Sequence, residues 1–181
     1  MAVDRVERLL RVATQALDEA DIPYAVVGGN AVAAWVGGVD IGAVRSTKDV
    51  DILLRRADLD AATSALGNIH LNPHDVMGVT MFLDQDQPNP RTGVHVVFAG
   101  QRIRPEYAHL APDVTDSARA KDGFLVVSLP ALVAMKLQSF RRIDQVHIDD
   151  MLSVELIDDA IIANLPADLR ARLDQLMASP E

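Results

Sequence analysis

Two aspartates one residue apart, Asp49 and Asp51, stand in the stretch RSTKDVDILL at positions 45–54. In a strand, residues i and i+2 point to one face, about 6.5–7 Å apart. Both carboxylates then project together, while Val50 and Ile52 point to the other face. Two acids on an otherwise apolar strand are costly unless something neutralises them. A divalent cation is a natural neutraliser, because hard cations such as magnesium prefer carboxylate oxygen. The competing reading is a pair of strand-end aspartates in solvent or in ion pairs.

A second candidate lies upstream. Ile22 to Val27 (IPYAVV) reads as a short apolar strand, and Gly28-Gly29-Asn30 breaks it ahead of a helix beginning at Ala31. A strand that turns through glycines into a helix exposes backbone N–H groups at a helix N-terminus, a geometry that binds phosphate. Glycine permits both close approach and positive φ. By itself the pattern is equally an ordinary turn.

Taken together, VVGGNAVAAW and RSTKDVDILL resemble the nucleotidyltransferase fold superfamily, the polymerase-β-like group. The likeness is to its minimal bacterial branch, which includes the AbiEii-type toxin-like nucleotidyltransferases. It is strong over residues 20–55 and looser over 90–160. Arg45, Thr47, Asp49 and Asp51 match the family's Arg-x-Thr-x-Asp-x-Asp arrangement. The resemblance implies an enzyme that transfers a nucleoside monophosphate from a nucleoside triphosphate to an acceptor hydroxyl. Gly28, Gly29 and Asn30 would hold phosphates, with Arg45 and Thr47 beside them, and Asp49 and Asp51 would hold Mg2+ or Mn2+. Two such metals about 3.5–4 Å apart can hold nucleophile and leaving group in line.

One position departs from the pattern. The family supplies a third carboxylate from a later strand in an apolar-Asp-apolar setting, and the matching strand here, residues 93–98, carries His95. A neutral imidazole binds metals or acts as a base, but brings no negative charge and less affinity for magnesium. Three readings stay open: an enzyme using His95 as third ligand or base, an enzyme of altered metal preference, or a fold that has lost catalysis. The last would be a nucleotide- or protein-binding module, with an antitoxin-like protein as partner. Asp84 and Asp86 precede the strand and are out of register with the match.

Lys136 falls within the apolar stripe Leu129, Leu132, Val133, Leu137 and Phe140 of a helix capped by Ser128. A lysine on a buried face either snorkels or meets an anion, with Asp49, Asp51 or a bound phosphate as candidates. Related families carry a lysine in a similar helix, so the resemblance adds Lys136 to the nucleotide-binding set.

The elements that must position these residues read as a mixed α/β layout. Residues 4–19 form an amphipathic helix, and Gly37-Gly38 ends the helix begun at Ala31. Ala57–Leu66 is helical, and Val79–Leu83 and Val94–Phe98 are strands joined by a polar, Pro-rich link. Residues 100–122 are irregular, and Phe124–Val127 is a further strand. Helices follow from Ser128 to about Arg142, over 149–156 and over 167–177. We expect one nucleotidyltransferase-like α/β domain over 1–181, with a core to about 127, a small mixed sheet flanked by helices, and a helical segment over 128–181. Pro166 marks a short final appendage.

Composition bounds the rest. The chain has 181 residues, 49% of them apolar and 24% charged, enough to bury a core. Net charge is −9, which disfavours extended nucleic acid and anionic membrane surfaces as partners. With no cysteine there is no disulfide, no thiol nucleophile and no cysteine-ligated metal. His70 and His74 have zinc-helix spacing, but Pro73 between them breaks such a helix. The charged N-terminus is unlike a signal peptide and no apolar run spans a bilayer, so a cytoplasmic location is expected.

Overall fold

The computed structural model describes residues 2–178. Its frame is a seven-stranded mixed sheet, in the order β3-β4-β5-β2-β1-β7-β6. The strands are β1 (Tyr24–Val27), β2 (Val50–Leu54), β3 (Leu71–Val76), β4 (Val79–Asp84), β5 (Val94–Phe98), β6 (Ser117–Arg119) and β7 (Leu125–Val127). The helices are α1 (Ala2–Glu19), α2 (Gly28–Val39), α3 (Leu59–Gly67), α4 (Leu129–Ser139), α5 (Arg142–Ser153), α6 (Asp159–Asn164) and α7 (Ala167–Ala178). The mixed α/β architecture expected from the sequence is the one observed.

The centre of the sheet is its driest part. All four residues of β1 are buried, as continuous apolar runs are when both faces of a strand are covered. β1 pairs antiparallel with β2 and parallel with β7, and β2 pairs parallel with β5. Helix α1 inserts Ala13 and Leu17, both fully buried. Helix α2 is tied to the sheet by the Trp35 indole, which donates to the Val127 carbonyl at 3.0 Å.

Several elements differ from the sequence expectation, each for a local reason. Helix α2 starts at Gly28, not Ala31: Gly28 has φ +68° and turns the chain out of β1 directly into helix. Gly37 and Gly38 do not end it; they lie in its last turn, and the Asp40 N–H closes on the Val36 carbonyl. β3 contains Pro73, tolerable because β3 is a sheet edge, where a missing N–H costs no ladder bond. Within the irregular segment, Ser117–Arg119 pairs with β7 as the opposite edge.

The helix expected to run to Arg142 stops at Ser139. Phe140 takes a left-handed conformation, φ +49°, and α5 starts afresh at Arg142. The reversal is held by Asp144, whose carboxylate accepts from the Arg141 backbone N–H at the start of α5 and from the Ser139 hydroxyl at the end of α4. The last segment is no appendage. Leu165, Leu169 and Leu173 belong to the same hydrophobic cluster as β1, β2 and α1.

Candidate functional site

Strand register assembles the site. In the β1–β2 ladder Val27 pairs with Asp51, and in the β2–β5 ladder Asp51 pairs with His95. Paired residues on neighbouring strands share a face and lie close together. The end of β1, the second aspartate and the histidine therefore fall on one line across the sheet. Asp49, two residues before Asp51, joins them on the same face.

The side chains converge accordingly. His95 Nδ1 lies 3.6 Å from Asp49 Oδ2 and 3.6 Å from Asp51 Oδ1. Ligand atoms of the three residues all lie within 4.8 Å of one another, the one such cluster among the described residues. Their side chains remain partly open, 38% for Asp49, 26% for Asp51 and 21% for His95, so a solute can reach them.

The chemistry of this donor set suits a divalent ion. His95 Nε2 lies 2.7 Å from the Pro90 carbonyl, which can only accept, so this nitrogen carries the proton. Nδ1, the other nitrogen, then faces the two carboxylates with its lone pair whenever the ring is neutral. Without an ion the ring gains a second proton: chiefly the adjacent Asp51 carboxylate, helped by Pro90 and Asp49 and opposed by burial, pushes its pKa up to about 9. Two carboxylates and an imidazolium sum to −1. Exchanging that proton for a divalent ion brings the sum to zero.

The glycine turn touches this cluster. A Cβ placed on Gly28 would collide with Asp51 Oδ2 and come within 2.8 Å of its Cγ. A Cβ on Gly29 would lie 2.9 Å from Thr47 Oγ1. The N-cap of α2 is Val27, which offers no side-chain acceptor, so the first N–H groups of α2 have no capping side chain. We expect Gly28→Ala to disorder the carboxylate pair, since it adds both a collision and about 1–2 kcal/mol of left-handed strain. Calorimetric Mn2+ titration should show its affinity reduced at least tenfold, more than in Gly38→Ala, where a Cβ meets open space.

The remaining sequence candidates have definite places. Asn30 is buried and donates from its side chain to the Asp49 carbonyl at 2.8 Å, so it fixes the aspartate backbone. Thr47 Oγ1 lies 3.3 Å from Asp49 Oδ1. Arg45 is drawn outward, where its Nε pairs with Asp150 of α5 at 2.6 Å. Lys136 does meet an anion, but that anion is Asp144, at 3.0 Å, and neither Asp49 nor Asp51.

Sequence reasoning assigned no site role to Asp144, Arg141 or His147. Asp144 is buried and accepts from Lys136, Ser139 and Arg141. Burial alone would raise its pKa, but Arg141, Lys136 and Ser139 outweigh burial and hold it at about 2. Lys136 and Asp144 make a buried pair of opposite charges, and Arg141 adds its charge from a side chain that is 58% exposed. His147 is 9% exposed, and burial, reinforced by the charge of Lys136, lowers its pKa to about 4. Its one-turn spacing after Asp144 on an otherwise amphipathic helix was the available signal.

The His147 shift makes stability depend on pH. Between pH 6.5 and 4 the unfolded chain takes up a proton on this ring that the folded chain does not, so stability falls as pH falls through that window. The loss is about 3 kcal/mol. Asp144 adds its own loss further down, present above its ordinary pKa and gone as pH drops through about 2. Urea unfolding from pH 7 to 4 should show the first decline, and His147→Leu should flatten it.

A cavity of about 920 Å3 lies beside this site and not in it. Asn30, Arg45 and Thr47 border it, together with residues of α1 and α2, but neither aspartate nor His95 does. No helix among the described residues is long and apolar enough to cross a membrane.

Comparison with known proteins agrees with this geometry at the level of fold. No family model matches the chain, and no curated protein does. Solved structures do. An antigenic nucleotidyltransferase-like protein from Paracoccidioides brasiliensis superposes with a TM-score of 0.63 at 20% identity, over 98% of this chain and 89% of that one. The antibiotic-resistance factor ANT(2'')-Ia gives 0.60 at 15% identity, over 98% and 95%. The chain has the nucleotidyltransferase fold. The lincosamide antibiotic adenylyltransferase LnuA, solved with lincomycin, gives 0.58 at 14% identity, over 82% of this chain and 97% of that one. Within this nucleotidyltransferase fold, the sheet register above is what brings the aspartates to the glycine turn.

Proposed function

We propose that the chain is a metal-dependent nucleotidyltransferase, moving a nucleoside monophosphate from a nucleoside triphosphate to an acceptor hydroxyl. The observation that carries this reading is the coincidence, on one sheet line, of the Gly28 turn, Asp51 and His95. Asp49, Asp51 and His95 Nδ1 would hold Mg2+ or Mn2+, which when bound supplies charge neutralisation on the phosphates and on the reacting oxygens. The N–H groups at the start of α2 bind phosphate oxygens, aided by the helix dipole. Asn30 keeps the Asp49 backbone in place. Thr47 orients the Asp49 carboxylate from the side. Arg45 and Lys136 would be the cations of the nucleotide-binding set, each paired with an aspartate of α5, Asp150 and Asp144.

His95 works as a ligand here and not as the base. Its Nε2 is engaged by Pro90, and its other nitrogen points between the two carboxylates. An imidazole nitrogen in place of carboxylate oxygen also shifts preference from magnesium toward manganese. We expect His95→Asp to reverse that preference and raise Mg2+ affinity about tenfold, worth roughly 1.4 kcal/mol. Calorimetric titration of both ions into both proteins checks this.

The acceptor in this reading is a small hydroxyl-bearing molecule. ANT(2'')-Ia has been solved with adenylyl-2''-tobramycin and LnuA with lincomycin, and the −9 charge of this chain repels a long polyanion. The motif likeness to the AbiEii-type branch adds a second reading, a cytoplasmic module that binds an antitoxin-like protein. The 920 Å3 cavity away from the carboxylates, with Val39 and Ile41 exposed nearby, favours it. Calorimetry with ATP, GTP, CTP and UTP, each with and without Mg2+ or Mn2+, decides between them. Metal-dependent binding of at least one nucleotide is expected; no binding by any of the four would leave the module reading.

A further inference from the structure

His147 has no counterpart in the roles assigned above, yet it sits at the phosphate turn. Its Cε1, flanked by the two ring nitrogens, lies 3.9 Å from where a Cβ on Gly29 would stand. The same point lies 2.9 Å from Thr47 Oγ1, so Thr47 and His147, from distant parts of the chain, both reach the second residue of α2. His147 is 9% exposed, and its Nδ1 is buried without a hydrogen-bond partner.

An unpartnered buried nitrogen is destabilising relative to a satisfied one. Nothing in the packing demands it. Ile148 and Met151 on the same helix are fully buried hydrocarbons, so a leucine at 147 would suit this core as well. The cost falls beside the first turn of a twelve-residue helix whose N-cap, Val27, offers no capping side chain, and within the field of the buried Lys136–Asp144 pair. An anion held at this turn by the α2 N–H groups would lie within reach of the imidazole. Burial and Lys136 keep the ring neutral near pH 7, so it meets that anion as a hydrogen-bond donor and not as a charge.

We propose that His147 is a phosphate-binding residue, donating a hydrogen bond to a phosphate oxygen of the nucleotide held at the Gly28–Asn30 turn. This rests on the nucleotidyltransferase reading and extends it to a residue on α5. It gives the helical C-terminal segment a direct part in the nucleotide site, since α5 packs against α2.

The test sets stability against binding. In His147→Leu the unpartnered nitrogen is gone, so unfolding by urea at pH 7 should show a fold at least as stable as wild type. Calorimetric affinity for the tightest-binding nucleoside triphosphate with Mn2+ should nevertheless fall about tenfold. His147→Gln, which keeps a donor, should recover part of that affinity. Affinity for the corresponding nucleoside, which has no phosphate, should be the same in all three proteins. Unchanged triphosphate affinity in a folded His147→Leu would overturn the proposal and leave the wider reading intact. If His147→Leu is instead less stable and binds triphosphate and nucleoside equally poorly, the residue is structural and the proposal also fails. Absence of triphosphate binding in wild type would overturn both readings together.

Discussion

Asp51→Asn is expected to abolish metal-dependent nucleotide binding and any nucleotidyl transfer, with little effect on folding. Asp51 is the one residue that touches every part of the site. It stands against Gly28, pairs in register with His95, and shares its face with Asp49. Asparagine keeps the shape beside Gly28 and so keeps the turn. It removes one of the two negative charges and an oxygen ligand, and a hard divalent ion has little affinity for what remains. Losses of 10³-fold or more in transfer are in keeping with removing a charge aimed at the reacting phosphate. The side chain is one-quarter exposed, so the melting temperature should move by no more than a few degrees. Mn2+ calorimetry and a thermal melt on the same sample check both halves. Retained Mn2+ affinity in a folded variant would place the ion elsewhere.

Asp144→Ala is expected to be the most destabilising single change at the site, by about 3–5 kcal/mol, or on the order of 10 °C in melting temperature. The carboxylate is 1% exposed and answers the ammonium of Lys136, which is itself only 5% exposed. Removing it strands a cation in the interior. It also removes the acceptor that joins the end of α4 to the start of α5. Arg141 suffers less, because its side chain is 58% exposed and can turn to water. The double variant Lys136→Met/Asp144→Leu separates these causes. Replacing both charges by hydrocarbon should recover most of the lost stability, since a buried pair is dear to break and cheap to replace. Denaturant unfolding of the three proteins measures this, and a single-variant loss below 1 kcal/mol would contradict the burial argument.

The site shows where a sequence is legible and where it is not. Asp49 and Asp51 could be paired by a local rule, because period-two alternation operates within one strand. Gly28 and Gly29 could be marked as a turn for the same local reason. That His95 stands beside Asp51 depends on β2 and β5 lying parallel across about forty residues of intervening chain, and the motif likeness anticipated that pairing where periodicity could not. Lys136 was legible as a misfit on an apolar face, yet its partner was not. Asp144 comes from the next helix, and seeing it there requires knowing that Phe140 reverses the chain. A phenylalanine in the left-handed region carries no local signal, unlike a glycine. The same holds for β3, where Pro73 spoke against a strand until the edge position removed the objection. Local chemistry was readable from residue types, while tertiary partners came only with the fold.

The central claim is that Asp49, Asp51 and His95 form one divalent-ion centre at the phosphate turn. Pulsed electron paramagnetic resonance of Mn2+ bound to the protein in the presence of a nucleoside triphosphate tests it most directly. The expected result is a tightly held ion showing both nitrogen modulation from an imidazole and phosphorus coupling from the nucleotide, the nitrogen signal vanishing in His95→Asp and the ion itself lost in Asp51→Asn. A bound ion with phosphorus coupling but no nitrogen modulation in wild type would contradict the assignment of His95, and an ion unaffected by Asp51→Asn would contradict the centre as a whole.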